Sequence, residues 1–359
     1  MGIGAGATSD RAWHVRWDKV DDVERLVLDE LPEMIDFHTS GTTGPSRCWR
    51  RLREKVWAEA GLLADLLRPE NPQALVSFVP PVHLYGALAT VLVPARLGIP
   101  AWYRPRVVGS MPAAEHDRWA VVATPWIFSI LQRHLAWVTA KEKVTILHGG
   151  AMLPATATDL VVAAGPDRTQ IVEVFGCTEA GGVAYRRWRH DEPVPWTLFD
   201  DVAFDDTMRT AEADTELAVR SPRLAFPPDG VAPEMWVLDD HVSVLGDRRF
   251  RFDGRRNRLV NVNGRRMNLD DIETSLLSVM DVADVALLPV ADRMVGEHVD
   301  LLVVPRPGRT LADVNLREAI EVIGVRPRSI HAVEHINRSE TGKLRAVQPL
   351  PSQEATPAP

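Results

Sequence analysis

The chain has 359 residues, of which 45% are hydrophobic and 25% charged, and its formal net charge is −8 at pH 7. This length suffices for two domains and the composition is that of a globular protein, while the negative charge excludes a general nucleic-acid binder. The two cysteines lack metal-ligand spacing, which favours a reducing cytoplasm and no structural zinc. Four prolines interrupt the most apolar stretch, 74–102, so we expect no membrane span and no membrane partner.

Predicted helices and strands alternate in the first half of the chain. Apolar residues at helical spacing predict a helix between Val20 and Leu31, which Pro32 ends, and the apolar run Met34–Phe37 is typical of a strand. The same patterns predict helices at 50–67, 84–97, 126–137 and 155–164, and strands at 74–79, 119–123, 144–147 and 171–175. Strands that alternate with helices indicate βαβ units, so we predict an α/β fold with a mainly parallel sheet.

The pattern changes in the second half of the chain. Short strands and turns follow one another from about 196 to 252, and a smaller α+β unit begins at 255. Its predicted elements are a helix at 269–280, strands at 283–290 and 298–305, a helix at 311–323 and a strand at 329–335. We therefore predict a large domain at 1–254, a small domain at 255–347 and a disordered tail, rich in Pro, Ala and Ser, at 348–359.

A hydroxyl- and glycine-rich segment follows the first predicted strand. Its glycines let several backbone N–H groups face one anion, its hydroxyls add donors, and Arg47 adds positive charge. It departs from the Walker pattern, which ends in Gly-Lys-Ser/Thr, and an ordinary turn would have similar chemistry. The residues that we assign to phosphate binding are Thr39, Ser40, Gly41, Thr42, Thr43, Gly44 and Arg47.

Three later strands also end in suggestive groups, and ligands of parallel α/β sheets bind at such strand ends. The three segments are Pro81–Gly86 with His83 and Tyr85, His148-Gly149-Gly150-Ala151, and Phe175-Gly176-Cys177-Thr178-Glu179. Glycines at these points let flat ring systems lie against the backbone. A carboxylate just past such a loop is well placed for Mg²⁺, which prefers one or two carboxylates together with substrate phosphates.

Together these segments resemble the acyl-adenylate-forming superfamily of acyl-CoA synthetases, aryl-acid ligases, adenylation domains and luciferases. The phosphate loop resembles the family's Ser-Gly-Thr-Thr-Gly-x-Pro-Lys, with Arg47 where Lys is usual. Pro81–Gly86 resembles its Pro-x-x-His-x-x-Gly, and the next two segments resemble its Gly-Gly-Ala and its Tyr/Phe-Gly-x-Thr-Glu. The segment 339–345 resembles the C-terminal Thr-x-x-Gly-Lys-x-x-Arg signature. The motifs run in the family's order from about Phe37 to Arg345.

The resemblance implies a role for each motif residue. Lys343 would be the adenylation catalyst, and Thr178 and Glu179 would serve the α-phosphate and the metal. Asp240 would bind the ribose hydroxyls with support from Arg255, although Asp239 is an equal candidate by composition. The remaining assignments are His83, Tyr85, Gly149 and Gly150 at the acid pocket, and Gly150, Ala151, Phe175 and Gly176 at the nucleotide.

The implied function is a ligase that uses ATP and Mg²⁺ to adenylate a small carboxylic acid, aryl acids included. It would then pass the acyl group to the thiol of CoA or of an acyl carrier protein while the small domain moves, with a pivot near Asn257. Two alternatives stay open: activation of nitrite to diazotise an aryl amine, and a non-catalytic nucleotide-binding relative. Single residues also have structural readings, such as a core histidine for His83 and a helix cap for Glu179.

Two departures from the family pattern carry expectations of their own. Only about 38 residues precede the phosphate loop, so the resemblance implies a truncated large domain whose exposed edge a second copy of the chain would cover in a homodimer. Eight arginines lie between Arg248 and Arg266. They would form either a docking face for an acidic carrier or for CoA phosphates, or a solvated hinge surface.

Overall fold

The structure is a computed structural model that describes residues 11–39, 47–105, 110–113, 115–189, 194–210, 215–255, 258–262, 265–292, 296–338 and 344. The chain divides into two compact units. Unit 1 comprises Met1–Glu212, Ala218–Leu238 and Val244–Arg251, and unit 2 comprises Ala213–Leu217, Asp239–Ser243 and Phe252–Pro359. The mobility of the small domain stays a prediction, and the tail expected at 348–359 lies outside the described residues.

Helices and strands occupy most of the described chain. The helices are α1 (Val23–Glu30), α2 (Arg53–Leu67), α3 (Leu84–Gly86), α4 (Val93–Leu97), α5 (Pro125–Arg133), α6 (Leu135–Thr139), α7 (Ala155–Ala164), α8 (Leu269–Val279) and α9 (Leu316–Ile323). The strands are β1 (Trp13–Arg16), β2 (Met34–Thr39), β3 (Arg47–Leu52), β4 (Ala74–Ser77), β5 (Pro100–Tyr103), β6 (Arg118–Ala123), β7 (Lys143–Gly149), β8 (Thr169–Cys177), β9 (Gly181–Arg187), β10 (Trp196–Leu198), β11 (Ala203–Phe204), β12 (Thr215–Arg220), β13 (Trp236–Val244), β14 (Arg249–Arg255), β15 (Leu259–Val262), β16 (Arg265–Asn268), β17 (Val282–Asp292), β18 (Gly296–Pro305) and β19 (Ile330–Ala332).

The largest sheet has the strand order β1-β5-β4-β6-β7-β8-β9-β10-β14-β13-β12-β11. The neighbours from β5 to β8 pair in parallel, whereas β1, β9 and β10 join antiparallel. The predicted α/β class with a small C-terminal α+β part is confirmed, and parallel pairing is found in five adjacent strands. Because four of these strands are consecutive neighbours in the order β4-β6-β7-β8, the loops after them share one edge of the sheet.

A dry apolar core covers the parallel strands of unit 1. Strand residues such as Val76, Val121 and Ile146 pack against α5 and α7, which contribute Phe128 and Leu160. These strands carry apolar residues on both faces, as expected for parallel strands buried between helices. Burial of this kind contributes about 25 cal/mol per Å² of apolar surface, so it dominates the stability of the fold.

Unit 2 is built around a hairpin and two helices. Strands β17 and β18 pair antiparallel, β19 adds in parallel to β18, and β15 and β16 form a separate hairpin. Its core unites strand residues such as Leu287 and Leu301 with Leu276 of α8 and Ile323 of α9. In the part of the chain that the structure describes, no helix is both long enough and apolar enough to span a membrane.

Four predicted helices differ from the structure. Two helices, α5 and α6, replace the one expected at 126–137, and α9 covers only the later part of the one expected at 311–323. The helix expected at 50–67 begins only at Arg53, because residues 47–52 form β3 and pair in register with β2. An ion pair from Arg50 Nε to Asp36 Oδ1, 2.8 Å long, accompanies this pairing, so tertiary contacts override local helix propensity. The helix expected at 84–97 is interrupted by a π-helical segment at Ala87–Leu92, between α3 and α4.

Candidate functional site

Two of the predicted motifs meet at the shared edge of the parallel strands. Tyr85 lies just past β4, and its hydroxyl donates a hydrogen bond of 2.8 Å to the carbonyl of Leu147 in β7. Its ring covers Gly149, where an added Cβ would lie 2.8 Å from a ring carbon, so a side chain at that position would collide with the ring. Burial raises the pKa of Tyr85, which keeps the hydroxyl protonated as a donor.

His83 and His148 have opposite environments at this edge. The side chain of His83 is exposed, so the reading of His83 as a core histidine is wrong. His148 is buried, and its Nε2 lies 3.1 Å from the carbonyl oxygen of Ala151. A carbonyl can only accept, so Nε2 carries the proton, and burial lowers the pKa of His148 and keeps the ring neutral. His148 thereby fixes the loop that contains Gly149, Gly150 and Ala151.

The turn between β8 and β9 carries Thr178 and Glu179. Strand β9 follows this turn directly, so the alternative that Glu179 caps a helix is wrong. Within the described ranges, the Thr178 hydroxyl and the Glu179 carboxylate form no hydrogen bond or ion pair. Both side chains are partly exposed. A half-exposed carboxylate without a partner side chain suits Mg²⁺, which needs one or two carboxylates and completes its shell with water and phosphate oxygens.

Close packing shapes the strand that enters this turn. The Phe175 ring lies 5.3 Å from that of Trp196 and 5.5 Å from that of Phe250. At Gly176 an added Cβ would lie 2.0 Å from the carbonyl oxygen of Gly181, so the two strands approach too closely for any other residue. The predicted assignments of Phe175 and Gly176 to the nucleotide therefore fall on a rigid strand end.

A buried charge cluster, formed by Arg51, Glu59 and Arg223, holds the same turn from inside unit 1. Each of the three residues is at most 2% exposed. Arg51 donates from Nη1 to Glu59 Oε2 at 2.9 Å and from Nη2 to the Thr178 carbonyl at 3.1 Å. Arg223 Nη1 lies 3.1 Å from the same Glu59 oxygen, and its Nε pairs with Asp201 at 2.6 Å. Burial lowers the pKa of Arg51 against the attraction of Glu59.

This cluster was not predicted from the sequence, although one signal of it was readable. In α2 the buried residues Val56, Ala60 and Leu63 mark the core-facing side, and Glu59 lies on that same side. A carboxylate on the apolar face of a helix needs a buried partner. The sequence did not reveal which arginine this is, because Arg51 and Arg223 are two of many.

The phosphate loop and the predicted catalyst lie largely outside the described residues. Thr39 and Arg47 are a directly opposed pair at the ends of β2 and β3, and Arg47 is exposed. Ser40, Gly41, Thr42, Thr43 and Gly44 are not among the described residues, and neither is Lys343. On either side of Lys343, Arg338 and Leu344 form an isolated antiparallel bridge.

In unit 2, Asp240 and Arg255 lie together on neighbouring strands. Arg255 Nε is 3.4 Å from Asp240 Oδ1, and the Asp240 side chain is 14% exposed. Asp239, the alternative ribose ligand, is exposed. The pairing agrees with the support role expected of Arg255, while ribose binding by Asp240 stays a prediction.

The described arginines between 248 and 266 differ in their environments. Arg248 donates to the Leu198 carbonyl at 2.9 Å and to Asp200 at 3.0 Å. Arg258 is 8% exposed and pairs with Glu273 and with Asp270, the latter at 2.7 Å, so it cannot belong to a docking face. Among the described side chains of this group, Arg249 and Arg251 are exposed.

Comparison with known proteins yields relatives of one kind, although no family model matches the chain. The 4-coumarate–CoA ligase of Rhodobacter capsulatus is 28% identical over 265 residues, which are 72% of this chain and 61% of that enzyme. The 4-coumarate–CoA ligase of Halorhodospira halophila is 26% identical over 349 residues, which are 94% of this chain and 81% of that enzyme. The chain thus spans 61% of the length of the first of these relatives.

Solved structures of adenylating enzymes share the fold. The o-succinylbenzoate CoA synthetase of Bacillus subtilis with its acyl-adenylate intermediate superposes with a TM-score of 0.67 at 15% identity, over 89% of this chain and 69% of that one. The same enzyme with ATP and magnesium ion superposes with a TM-score of 0.66 at 14% identity, over 86% of this chain and 68% of that one. The anthranilate CoA ligase AuaEII with anthranoyl-AMP superposes with a TM-score of 0.62 at 15% identity, over 86% of this chain and 65% of that one. In its ordered motifs, its relatives and its fold, the chain is similar to the acyl-adenylate-forming enzymes.

Proposed function

We propose that this protein is an AMP-forming acid–thiol ligase that adenylates a small carboxylic acid with ATP and then transfers the acyl group to a thiol. The observation that carries the proposal is the shared sheet edge. There the Tyr85–Gly149 contact adjoins β8, and the turn after β8 carries Thr178 and Glu179, whose side chains form no hydrogen bond or ion pair with described residues. The first half-reaction needs a surface against which a flat acid can lie, and side chains that can bind phosphate and a metal ion. The Tyr85–Gly149 contact is suited to the first task, and Thr178 and Glu179 to the second.

The chemistry assigns each group a task. An oxygen of the acid carboxylate attacks the α-phosphorus of ATP, the bond to the bridging oxygen breaks, and pyrophosphate leaves. Two anions must meet, so the site needs donors and positive charge around the phosphorus. In this proposal Thr178 would donate to the α-phosphate, Glu179 would hold Mg²⁺, and Lys343 would approach the reacting oxygens. Mg²⁺ would offset charge on the phosphates. In the second half-reaction a thiolate attacks the acyl carbon and AMP leaves.

We propose an aryl acid as the substrate and CoA as the acceptor. The relatives compared above are named for coumarate, o-succinylbenzoate and anthranilate, each an aromatic acid, and for CoA. Two large apolar side chains at the same sheet edge agree with an aromatic ligand: Trp126 follows β6 and is 45% exposed, and Met152 follows β7 and is 39% exposed. A carrier protein is the alternative acceptor. The relatives lend no support to nitrite.

The setting of the reaction is also a proposal. We place the protein in the cytoplasm, where ATP is available and where the thiols of Cys48 and Cys177 stay reduced. The homodimer stays a prediction, and light scattering on the purified chain tests it directly, since a monomer would remove it.

The decisive experiment measures pyrophosphate release from Mg·ATP with a panel of aryl and aliphatic acids, and with nitrite in the presence and absence of an aryl amine. We expect release with an aryl acid and its loss in Lys343→Ala, with ATP binding kept. Lys55→Ala is the matched control because Lys55 is an exposed lysine on α2. Release by Lys343→Ala at the wild-type rate would overturn the role of Lys343. Release with nitrite alone, or silence across the panel with ATP still bound, would overturn the proposed function.

A further inference from the structure

We propose that Arg51, Glu59 and Arg223 are positioning residues for the Thr178–Glu179 turn, and that they hold its backbone so that its hydroxyl and carboxylate face the phosphates and the metal. This inference rests on the proposed function. None of the three side chains is exposed enough to touch a substrate, since each is at most 2% exposed. Their effect must therefore act through the backbone of the turn.

The first restraint acts at the start of the turn. The Thr178 carbonyl accepts two hydrogen bonds from Arg51, 3.1 Å from Nη2 and 3.3 Å from Nε. The third nitrogen of the same guanidinium, Nη1, donates to Glu59 at 2.9 Å. The guanidinium is planar and its donors are fixed relative to each other. The hydrogen bond to Glu59 therefore sets the orientation in which Arg51 donates to the Thr178 carbonyl.

The second restraint acts at the end of the turn. Glu59 Oε1 accepts the N–H of Gly182 at 2.6 Å, and the Gly182 carbonyl accepts from Arg223 Nη2 at 2.8 Å. The carboxylate of Glu59 thus connects the two ends of a five-residue segment. Between them Gly181 has φ of +76°, and an added Cβ there would lie 2.6 Å from Glu59 Oε2. Only glycine allows this approach.

The third restraint ties the turn to the strand that leaves the phosphate loop. Arg51 belongs to β3, which begins at Arg47, and the neighbouring Arg50 exchanges backbone hydrogen bonds of 2.7 and 3.1 Å with Phe226. The next residue back, Ala225, donates its N–H to the Glu179 carbonyl at 2.8 Å. The Thr178 carbonyl is thus held by a side chain of β3, and the Glu179 carbonyl by the neighbour of a residue that pairs with β3. The cluster therefore ties the turn to β3.

A buried ion pair is by itself weak grounds for a role in stability, because apolar side chains of the same volume often serve as well. Apolar replacements could not satisfy the Thr178 carbonyl and the Gly182 N–H. The cluster is therefore suited to specify one backbone geometry, and small displacements of a reacting group are costly in rate.

The test uses Glu59→Gln and Arg51→Lys in the full chain. Gln keeps an oxygen for the Gly182 N–H, and Lys keeps the charge, but its one nitrogen cannot reproduce the fixed planar set of donors that Arg51 directs at Thr178 and Glu59. Asp205→Asn is the matched control, since Asp205 is a buried carboxylate of the same unit, pairs with Arg220 at 2.7 Å and makes no described contact with the turn. Two quantities are measured: hydrogen exchange of the backbone amides at 176–184, and kcat and KM for pyrophosphate release.

We expect exchange in this segment to accelerate about tenfold in Glu59→Gln and Arg51→Lys but not in Asp205→Asn. We also expect kcat at saturating Mg·ATP and acid to fall by about tenfold to a hundredfold, with the KM for the acid nearly unchanged. The kcat of Arg51→Met should be lower than that of Arg51→Lys when equal amounts of folded protein are compared. A role of Arg51 in folding alone would give equal kcat values in this comparison.

Two results would overturn the inference: unchanged exchange in Glu59→Gln, or accelerated exchange with wild-type kcat. If the wild type itself releases no pyrophosphate with any acid, the proposed function fails, and the exchange measurement still decides whether the cluster restrains the turn.

Discussion

The two units each contain a buried arginine–carboxylate cluster, but the clusters hold different kinds of structure. In unit 1, Arg51 and Glu59 bind the backbone of a turn. In unit 2, Arg258 donates to the carbonyl of Leu287 at 2.6 Å, and Glu273 accepts a hydrogen bond of 2.6 Å from the N–H of Leu287. Leu287 lies in the middle of β17, so the second cluster reinforces a strand that already pairs with β18.

This difference follows from where backbone groups lack partners. Pairing with β18 already sets the path of β17, and the cluster binds the backbone groups of Leu287 within it, whereas the turn at 178–180 has no such pairing and its Thr178 carbonyl accepts from the Arg51 side chain. The cluster in unit 1 therefore determines a geometry that secondary structure does not determine. The cluster in unit 2 joins α8 to a strand whose geometry is already set. We expect damage to the first cluster to reduce stability and activity, and damage to the second to reduce stability alone.

The largest effect is expected from Glu59→Ala. It leaves Arg51 buried without a carboxylate and Gly182 without an acceptor, so the free energy of unfolding should fall by about 3–5 kcal/mol. Urea unfolding followed by tryptophan fluorescence measures it, because all 11 tryptophans lie at or before Trp236 and report on unit 1. A loss below about 1 kcal/mol, as for a surface pair, would break the comparison.

A smaller effect is expected from Glu273→Ala, which should lower the free energy of unfolding by about 1.5–3 kcal/mol. Arg258 keeps Asp270 at 2.7 Å and Arg338 keeps Asp284 at 2.8 Å, so no arginine is left without a carboxylate. Hydrogen exchange at 265–292 should show the loss, while the fluorescence transition of unit 1 stays in place. An equal shift of that transition would show that the two clusters are energetically coupled.

Two glycines separate backbone strain from the contact with Glu59. Gly98 has φ of +64° with open space around its Cβ position, so Gly98→Ala should cost only the strain of a left-handed alanine, about 1–2 kcal/mol. Gly181→Ala has the same strain and also pushes the Glu59 carboxylate, so it should cost roughly 1 kcal/mol more. Urea unfolding of both variants gives the difference, and equal losses would mean that Glu59 moves away freely.

The smallest effect concerns pH and His148. Burial lowers the pKa of His148 below its ordinary value of 6.5. Just below pH 6.5 the unfolded chain therefore binds a proton at His148 and the folded chain does not. Stability is therefore fully present above pH 6.5 and declines as pH falls below it, by up to about 1.4 kcal/mol between pH 7.5 and 5.5. His148→Gln, which keeps a donor for Ala151, should lose this part of the pH dependence. Identical slopes for both proteins would show that other groups cause it.

Part of the site was predictable because its information is local in sequence. Gly149 and Gly176 were identified from short glycine motifs, and the structure shows why each is glycine: one lies under the Tyr85 ring and the other against Gly181. The order of strands and helices was likewise predictable, since periodicity reflects which side of each element is buried. Strand β3 was missed because pairing with β2 decides its conformation.

The sequence by itself determined the fold class and the resemblance to one class of enzymes, because both depend on patterns within a few neighbouring residues. Only the tertiary structure decided what supports the motifs. Arg51 and Thr178 are 127 positions apart, and Glu59 and Gly182 are 123 apart. At such separations no spacing rule links an arginine to a carbonyl, since the partner is chosen by the packing of strands and helices that brings both into one core.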